Sequence, residues 1–256
     1  MAEMMNPALE GATLLFPQGS FITAYAYTGV EDEIKAYQTS AWIGTALMTS
    51  PIYDVYGPDA VKLMGQVCTN DFTTLGMNGI RHAVMCNEKG QILTDGVVIR
   101  IGEDRYRTYW LDPVISYYVN TSDLDVHGEN MSGKEYFIQI DGEKSLEILE
   151  NAFQANLHDI KFGRHRIQEV NGKQVRIIRL GMSGNLAYEI HGDISEFVYI
   201  YDKVMRRSII WYGRQVKSWE QESLGSRLIT CLTIRRPDSR ISIFTIRFRG
   251  WKPARK

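Results

Sequence analysis

The sequence predicts an α+β fold built from duplicated strand–turn–helix units with mainly antiparallel sheets, and three observations predict it. Tyr53–Tyr56 reads as a short strand, Gly57-Pro58-Asp59 as a turn, and Ala60, Val61, Leu63, Met64 and Val67 fall on one apolar helix face. The same order recurs about 85 residues later, which points to a duplicated unit. There, Tyr136-Phe137-Ile138-Gln139-Ile140 is the strand, Asp141-Gly142 the turn, and Glu143 to Phe153 a helix with Leu146, Ile148, Leu149 and Phe153 inward. Between and after the copies, apolar strand-like stretches are joined by glycine-containing turns, the pattern of antiparallel hairpins.

Taken in order, residues 1–50 form a lead-in. Phe21, Ile22, Tyr25 and Tyr27 alternate loosely, as in a strand, and Glu31 to Tyr37 has the length of a short helix. Pro58 suits the entry to the first repeated helix, because its missing N–H would be unpaired there in any residue. Gln91–Ile101 and Arg105–Leu111 are two strands joined by Gly102-Glu103-Asp104. Gln174–Leu180 and Leu186–His191 make another pair around Gly181-Met182-Ser183-Gly184, and a helix follows from about Ser195 to Met205. Helices are expected on one face of the sheets. The domain so defined spans 51–205, and residues 206–256 stand apart as a basic tail.

The chain has 256 residues, 44% hydrophobic and 23% charged, enough to bury a real core. No apolar run approaches the roughly 20 residues that span a bilayer. The first residues, MAEMMNPALEGATLLF, lack a basic segment followed by a long apolar core, so neither a membrane span nor a signal peptide is expected. Cys68, Cys86 and Cys231 show no CxxC or Cys/His ligand spacing. No metal site is therefore expected, and the default setting is a reducing cytoplasm. Walker, GxGxxG, HExxH and GxSxG motifs are absent, so nucleotide, zincin and hydrolase readings lack support.

Two strand segments carry candidate chemistry. Asp95 interrupts the apolar run Ile92-Leu93-Thr94-Asp95-Gly96-Val97-Val98-Ile99. A carboxylate in such a run either faces solvent beside the glycine or is partly buried and paired. His82, in Arg81-His82-Ala83-Val84-Met85, is either a satisfied structural histidine or half of a protonatable pair with Asp95. Glu189, in Ala187-Tyr188-Glu189-Ile190-His191, is either an outward polar position or a carboxylate suited to two N–H donors of a heterocycle. Cys68 and Cys86 read as small buried hydrophobes.

Together, GPDAVKLM followed by TNDFTTL, then CNEKGQILTDGVV, EDRYR, FIQIDGEKSLEIL and GMSGNLAYEIHG, resemble in that order the folate-binding family of the glycine-cleavage T-protein, an aminomethyltransferase. That family includes tetrahydrofolate-dependent demethylases acting on methoxylated aromatics and on dimethylsulfoniopropionate. The resemblance spans roughly residues 40–205 and implies a tetrahydrofolate site in the centre of the fold. It implies that Asp95 is the acid near the reacting pterin nitrogens, that Glu189 holds the pterin ring, and that Tyr188 is an aromatic neighbour in the same site. Thr94 stands where the T-protein has a second acid, His82 where it has tyrosine, and Leu111 where it has asparagine. AWIGTALM replaces its Phe-Asp-Val-Ser-His segment, and RHAVMCNEKG is closer to the demethylase branches. The implied activity is tetrahydrofolate-dependent transfer of a methyl or aminomethyl unit, more like an O-demethylase than the glycine-cleavage enzyme. The alternative is a non-catalytic folate binder or an inactive truncated member. Asp95 and His82 would be catalytic, with His82 or Tyr188 protonating the leaving oxygen. A small-molecule methyl donor is the expected partner, with no nucleic acid and no membrane.

Residues 206–256 hold 13 Lys and Arg against 3 Asp and Glu, a net of +10, whereas the preceding 205 hold 16 against 27, a net of −11. Such a tail ordinarily suggests nucleic acid. Here the resemblance stops near Arg206, and a shifted frame with free codon choice lets Trp219–Glu222 read Leu-Gly-Thr-Arg. The same frame lets Leu232–Ser239 read Asn-His-Thr-Glu-Ala-Gly-Phe-Pro, so the tail is expected to be a frameshift product, its charge unrelated to nucleic acid.

Overall fold

The computed structural model describes residues 7–18, 21–181 and 183–215. The tail motifs read at 219–239 lie outside the described residues.

The chain opens with an antiparallel hairpin, β1 (Leu14–Gln18) and β2 (Phe21–Ala26), followed by α1 (Val30–Thr39) and the short β3 (Trp42–Gly44). The first repeated unit comprises β4 (Ile52–Tyr56), α2 (Ala60–Val67), β5 (Ile80–Cys86), β6 (Ile92–Gly102), β7 (Arg105–Tyr109) and α3 (Val114–Thr121). After β8 (His127–Asn130), the second comprises β9 (Glu135–Asp141), α4 (Ser145–Phe153), β10 (Arg164–Val170), β11 (Lys173–Arg179), β12 (Ala187–Asp193) and α5 (Phe197–Gln215). The final helix runs ten residues past its expected end at Met205. The expected hairpins and both strand–turn–helix units are present; α3, β8 and β10 carried no clear sequence signal.

Two five-stranded sheets result, in the orders β5-β6-β7-β4-β8 and β10-β11-β12-β9-β3, with every pairing antiparallel. Each is a three-stranded meander joined to the strand that precedes its helix, and each is closed by an edge strand. The edge strands are exchanged. β3 leads into β4 but pairs with β9, and β8 leads into β9 but pairs with β4. Residues 42–44 therefore complete the second sheet, and the lead-in is not a separable unit.

The two turns show why the repeated glycines are needed. At Gly57 φ is +124°, Ala60 N–H donates to its carbonyl at 2.9 Å, and Asp59 N–H donates to Asp125 O at 3.1 Å. At Gly142 φ is +132°, Ser145 N–H donates to its carbonyl at 3.0 Å, and Lys144 N–H donates to Ser40 O at 3.0 Å. Asp125 and Ser40 belong to the segments entering the exchanged edge strands. A Cβ at Gly57 would stand 2.7 Å from Asp125 O, and one at Gly142 2.4 Å from Ser40 O.

Four layers follow from the alternation of side chains along each strand. Tyr53, Val55, Met85, Val98 and Tyr106 pack against Leu63 and Met64 of α2 and Ile115 of α3. On the far side, Ile138, Ile140, Ile177, Tyr188 and Ile190 pack against Leu149 and Phe153 of α4 and Ile200 and Val204 of α5. The opposite faces of the two sheets meet through Ile52, Ile99, Tyr109, Phe137 and Ile178. No helix among the described residues is long and apolar enough to cross a membrane.

Candidate active site

The layer between the sheets is polar as well as apolar. Asp54 is fully buried on β4, opposite Arg107, with Arg105 opposite Tyr56 two residues away. Arg107 Nε and Nη2 donate to Asp54 Oδ1 and Oδ2 at 2.7 and 2.9 Å, and Arg105 Nε donates to Oδ2 at 2.9 Å. The second sheet answers with Glu135, whose Oε1 accepts from Arg107 Nη1 at 3.0 Å and whose Oε2 accepts from the Tyr109 hydroxyl at 2.8 Å. Tyr109 also lies 2.8 Å from His191 Nδ1. His165 of β10 bonds the Arg100 carbonyl of β6 at 3.0 Å and Arg176 at 2.9 Å. Removing one partner from such buried pairs is costly, because the other charge is left without compensation.

Asp95 and His82 lie at the end of the same layer. Asp95 is opposite Val84 and His82 opposite Val97. Residues two apart on a strand share a face, so both face the side on which Val97 and Ile99 meet the second sheet. The structure brings the two together, with His82 Nε2 3.1 Å from Asp95 Oδ2. The Asp95 side chain is 52% exposed, so the carboxylate in this apolar strand is paired without being deeply buried.

Glu189 is opposite Ile178 on one side and Gln139 on the other, which directs it into the layer between the sheets. It is 5% exposed, and burial pushes its carboxyl up to about 8. His191 Nε2 lies 3.5 Å from its Oε2, and Gln139 is its partner across the ladder. A second buried acid, Asp141, stands at the strand end on the same face. Neither of its oxygens has a hydrogen bond, and burial pushes it up to about 6 despite the nearby Ser183 hydroxyl. Ala187, its partner across the ladder, joins Arg179, Gly181 and Asn185 in lining a cavity of about 220 Å³.

Tyr188 does not share this site. It is opposite Ile140 and is fully buried among the residues that pack under α4 and α5. Adjacent strand residues point to opposite faces, so Tyr188 and Glu189 cannot contact one ligand from the same side. The aromatic groups that do face the layer are Tyr109, Trp110 and Phe137, with Trp110 and Phe137 ring centres 6.3 Å apart. Cys68 is buried, its thiol pushed up to about 12, while Cys86 is half-buried.

Sequence reasoning missed Asp54, Arg107, Glu135, Asp141 and His191. Asp54 was findable, being an acid in the apolar strand Ile-Tyr-Asp-Val-Tyr, the same signal that marked Asp95. Arginines at 105 and 107, spaced to share a face, were its natural partners.

Comparison with known proteins agrees with this architecture. The model of the GCVT N-terminal domain family matches residues 10–214. A sesamin methylene transferase of Sinomonas sp. (strain No.22) is 54% identical over 222 residues, which are 86% of this chain and 48% of that protein. An aminomethyltransferase of Thermotoga maritima is 26% identical over 184 residues, 70% of this chain and 50% of that one. The glycine cleavage system aminomethyltransferase T from Bartonella henselae shares the fold, with a TM-score of 0.67 at 17% identity over 77% of this chain and 55% of that chain. The chain spans about half the length of the curated relatives it matches. A match over residues 10–214, a relative more than half identical and two exchanged-edge sheets leave one assignment: the chain belongs to the GCVT N-terminal domain family.

Proposed function

We propose that the chain carries the folate-binding site of a tetrahydrofolate-dependent one-carbon transferase, closer to the ether-demethylating enzymes than to the glycine-cleavage enzyme. The observation that carries this reading is Glu189, a buried carboxyl aimed between the sheets with no hydrogen bond among the described residues. Leaving such a group unmatched costs free energy, and adjacent N–H donors of a flat heterocycle would match it. The ring of a reduced folate offers such donors, so the residues present fit that group. Gln139, the ladder partner of Glu189, and the rings of Trp110 and Phe137 face the same layer.

When bound, tetrahydrofolate supplies the nitrogen that accepts the carbon unit. The chain's own residues orient and exchange protons around it. Glu189 fixes the ring, and the half-exposed Asp95 at the end of the layer orients its reacting edge. His82, 3.1 Å from Asp95, forms with it an imidazole–carboxylate pair that can hold a proton and deliver it to a leaving oxygen. Alignment of donor and acceptor then supplies much of the acceleration. His82 and Thr94, both departures from the glycine-cleavage pattern, and the relative whose name is sesamin methylene transferase favour a small-molecule ether donor, met in the cytoplasm.

Tetrahydrofolate titration of the whole chain, followed by tryptophan fluorescence, tests the site. Saturable binding weakened about tenfold or more by Glu189→Gln is expected, because the variant presents a donor where two acceptors are needed. Equal affinity in the variant would sink the assignment. Turnover with a panel of methyl and methylene ethers then distinguishes a transferase from a folate binder.

A further inference from the structure

Glu189 and His191 are two residues apart on β12 and face the same layer. With Glu135 ionised, the hydrogen bonds around them follow one polarity. Burial raises the Glu135 carboxyl, and Arg107 Nη1, donating to Oε1 at 3.0 Å, opposes that rise; as the carboxylate, Glu135 can only accept. Tyr109 has one hydroxyl proton and gives it to Glu135 Oε2 at 2.8 Å. Its oxygen is then the acceptor in the 2.8 Å contact with His191 Nδ1. Neutral His191 thus carries its proton on Nδ1, and Nε2 presents a lone pair. That nitrogen is buried without a hydrogen bond and faces Glu189 Oε2 at 3.5 Å. A lone pair opposite a carboxylate repels it; opposite a carboxylic acid it attracts.

We propose that His191 is a positioning residue for Glu189: locked by Tyr109 as the Nδ1–H tautomer, it holds the Glu189 carboxyl protonated until a heterocycle with adjacent N–H donors displaces that proton to solvent. Ligand recognition here is therefore coupled to release of one proton. The ligand half of this inference rests on the reading of Glu189 as the folate-ring acceptor; the tautomer lock rests on the protein's own hydrogen bonds.

The proton leaves because a second charge on His191 is the worse alternative. The groups facing the pair are Glu135 from β9, Arg176 from β11, His165 from β10, Arg107 from β7 and Asp54 from β4. With the rim included, Arg105, Arg107, Arg176 and Lys134 stand against Asp54, Glu129 and Glu135, with Asp141 at the strand end on the same face. An ionised Glu189 stands near the Arg107 and Arg176 cations, whereas an imidazolium would add a charge of the same sign as theirs. Burial and the nearby Arg176 and Arg107 push the His191 imidazole well below its ordinary value, in keeping with a ring that stays neutral.

Two measurements on the whole chain test the inference. The first is tetrahydrofolate affinity between about pH 6 and about pH 9, which should rise about tenfold per pH unit and level off near the Glu189 titration. Tyr109→Phe removes the lock and lets the imidazole place its proton on Nε2, donating to Glu189. His191→Gln lets an amide NH₂ do the same. Both should move the bend in the profile down by about one pH unit or more, whereas a purely structural defect would lower affinity equally at every pH. The second needs no ligand: the ¹⁵N resonances of His191, identified by their loss in His191→Gln, should report a proton on Nδ1 in the wild type and on Nε2 in Tyr109→Phe. A wild-type proton on Nε2, or a bend unmoved in both variants, overturns the inference. Absence of tetrahydrofolate binding at every pH would overturn the folate reading and the ligand half with it, while the resonances still decide the lock.

Discussion

Glu189 is buried between the sheets with its carboxyl pushed up to about 8, and a residue so placed leaves a mark on stability. An unfolded glutamate titrates near ~4.3. Because the folded value is higher, the stability that Glu189 contributes is full below about pH 4.3 and is lost as pH rises through about 8. His165 runs the other way, since burial and Arg176 push it down to about 4 and its contribution is lost as pH falls below about 6.5. Asp141, pushed up to about 6, has largely ionised by pH 6.5. Between about pH 6.5 and about pH 8 the Glu189 loss therefore dominates these three, on the order of 1.4 kcal/mol per pH unit. The melting temperature of the wild type should fall across that window and that of Glu189→Gln should not; a wild-type curve as flat as the variant's would remove the buried-acid assignment. Asp95 is the contrasting case. It is half exposed, so Asp95→Asn should change stability by no more than about 0.5 kcal/mol, yet it should lower one-carbon turnover by about a hundredfold or more. Unimpaired turnover in that variant would remove Asp95 from the chemistry.

The strand–turn–helix element depends on a glycine whose role is set by another part of the chain. Gly57→Ala and Gly142→Ala each force a side chain into a left-handed backbone, with Cβ 2.7 Å from Asp125 O or 2.4 Å from Ser40 O. Each should cost about 2 kcal/mol or more in chemical denaturation, whereas Gly→Ala at a position whose backbone suits alanine gains about 0.4–1 kcal/mol. A neutral or stabilising effect at either position would show that the edge-strand entry does not press on the turn. These two elements were legible because period-two apolar strands, glycine turns and helical apolar faces are local signals. β8 was not, since His127–Asn130 has two exposed and two half-buried residues with no apolar alternation, and its pairing with β4 alone makes it a strand. The site divides the same way. Asp95 with His82 was visible as an acid and an imidazole on neighbouring strands. The Arg107–Glu135 and Tyr109–His191 contacts join the two sheets across the fold, which no local pattern encodes. Tyr188 was misplaced because family likeness put it beside Glu189, whereas strand alternation puts it on the other face.

At the scale of the molecule, the exchange of edge strands and the charged layer hold the two halves together by different means. Arg107 bridges Asp54 of one sheet to Glu135 of the other, and Arg107→Met would leave two buried carboxylates without that cation, at a cost of about 3–5 kcal/mol in denaturant unfolding. Exchange makes the halves unequal in their dependence on the first 50 residues. The first sheet takes its edge from β8, which follows it in sequence, whereas the second takes its edge from β3, which precedes both units. Removing residues 1–50 would leave β4 to β8 with every ladder intact but strip β9 of its pairing at Ile43 and Gly44 and uncover the Gly142 turn. β9 would keep its ladder with β12 but become an edge strand, with unpaired amides at its Gln139–Asp141 end. Hydrogen exchange on a chain beginning at Pro51 should therefore show lost protection in β9 and β12 while β4 and β7 stay protected. Equal loss in both sheets would mean that the halves unfold as one cooperative unit, with the charged layer rather than the exchanged strands setting the cooperativity.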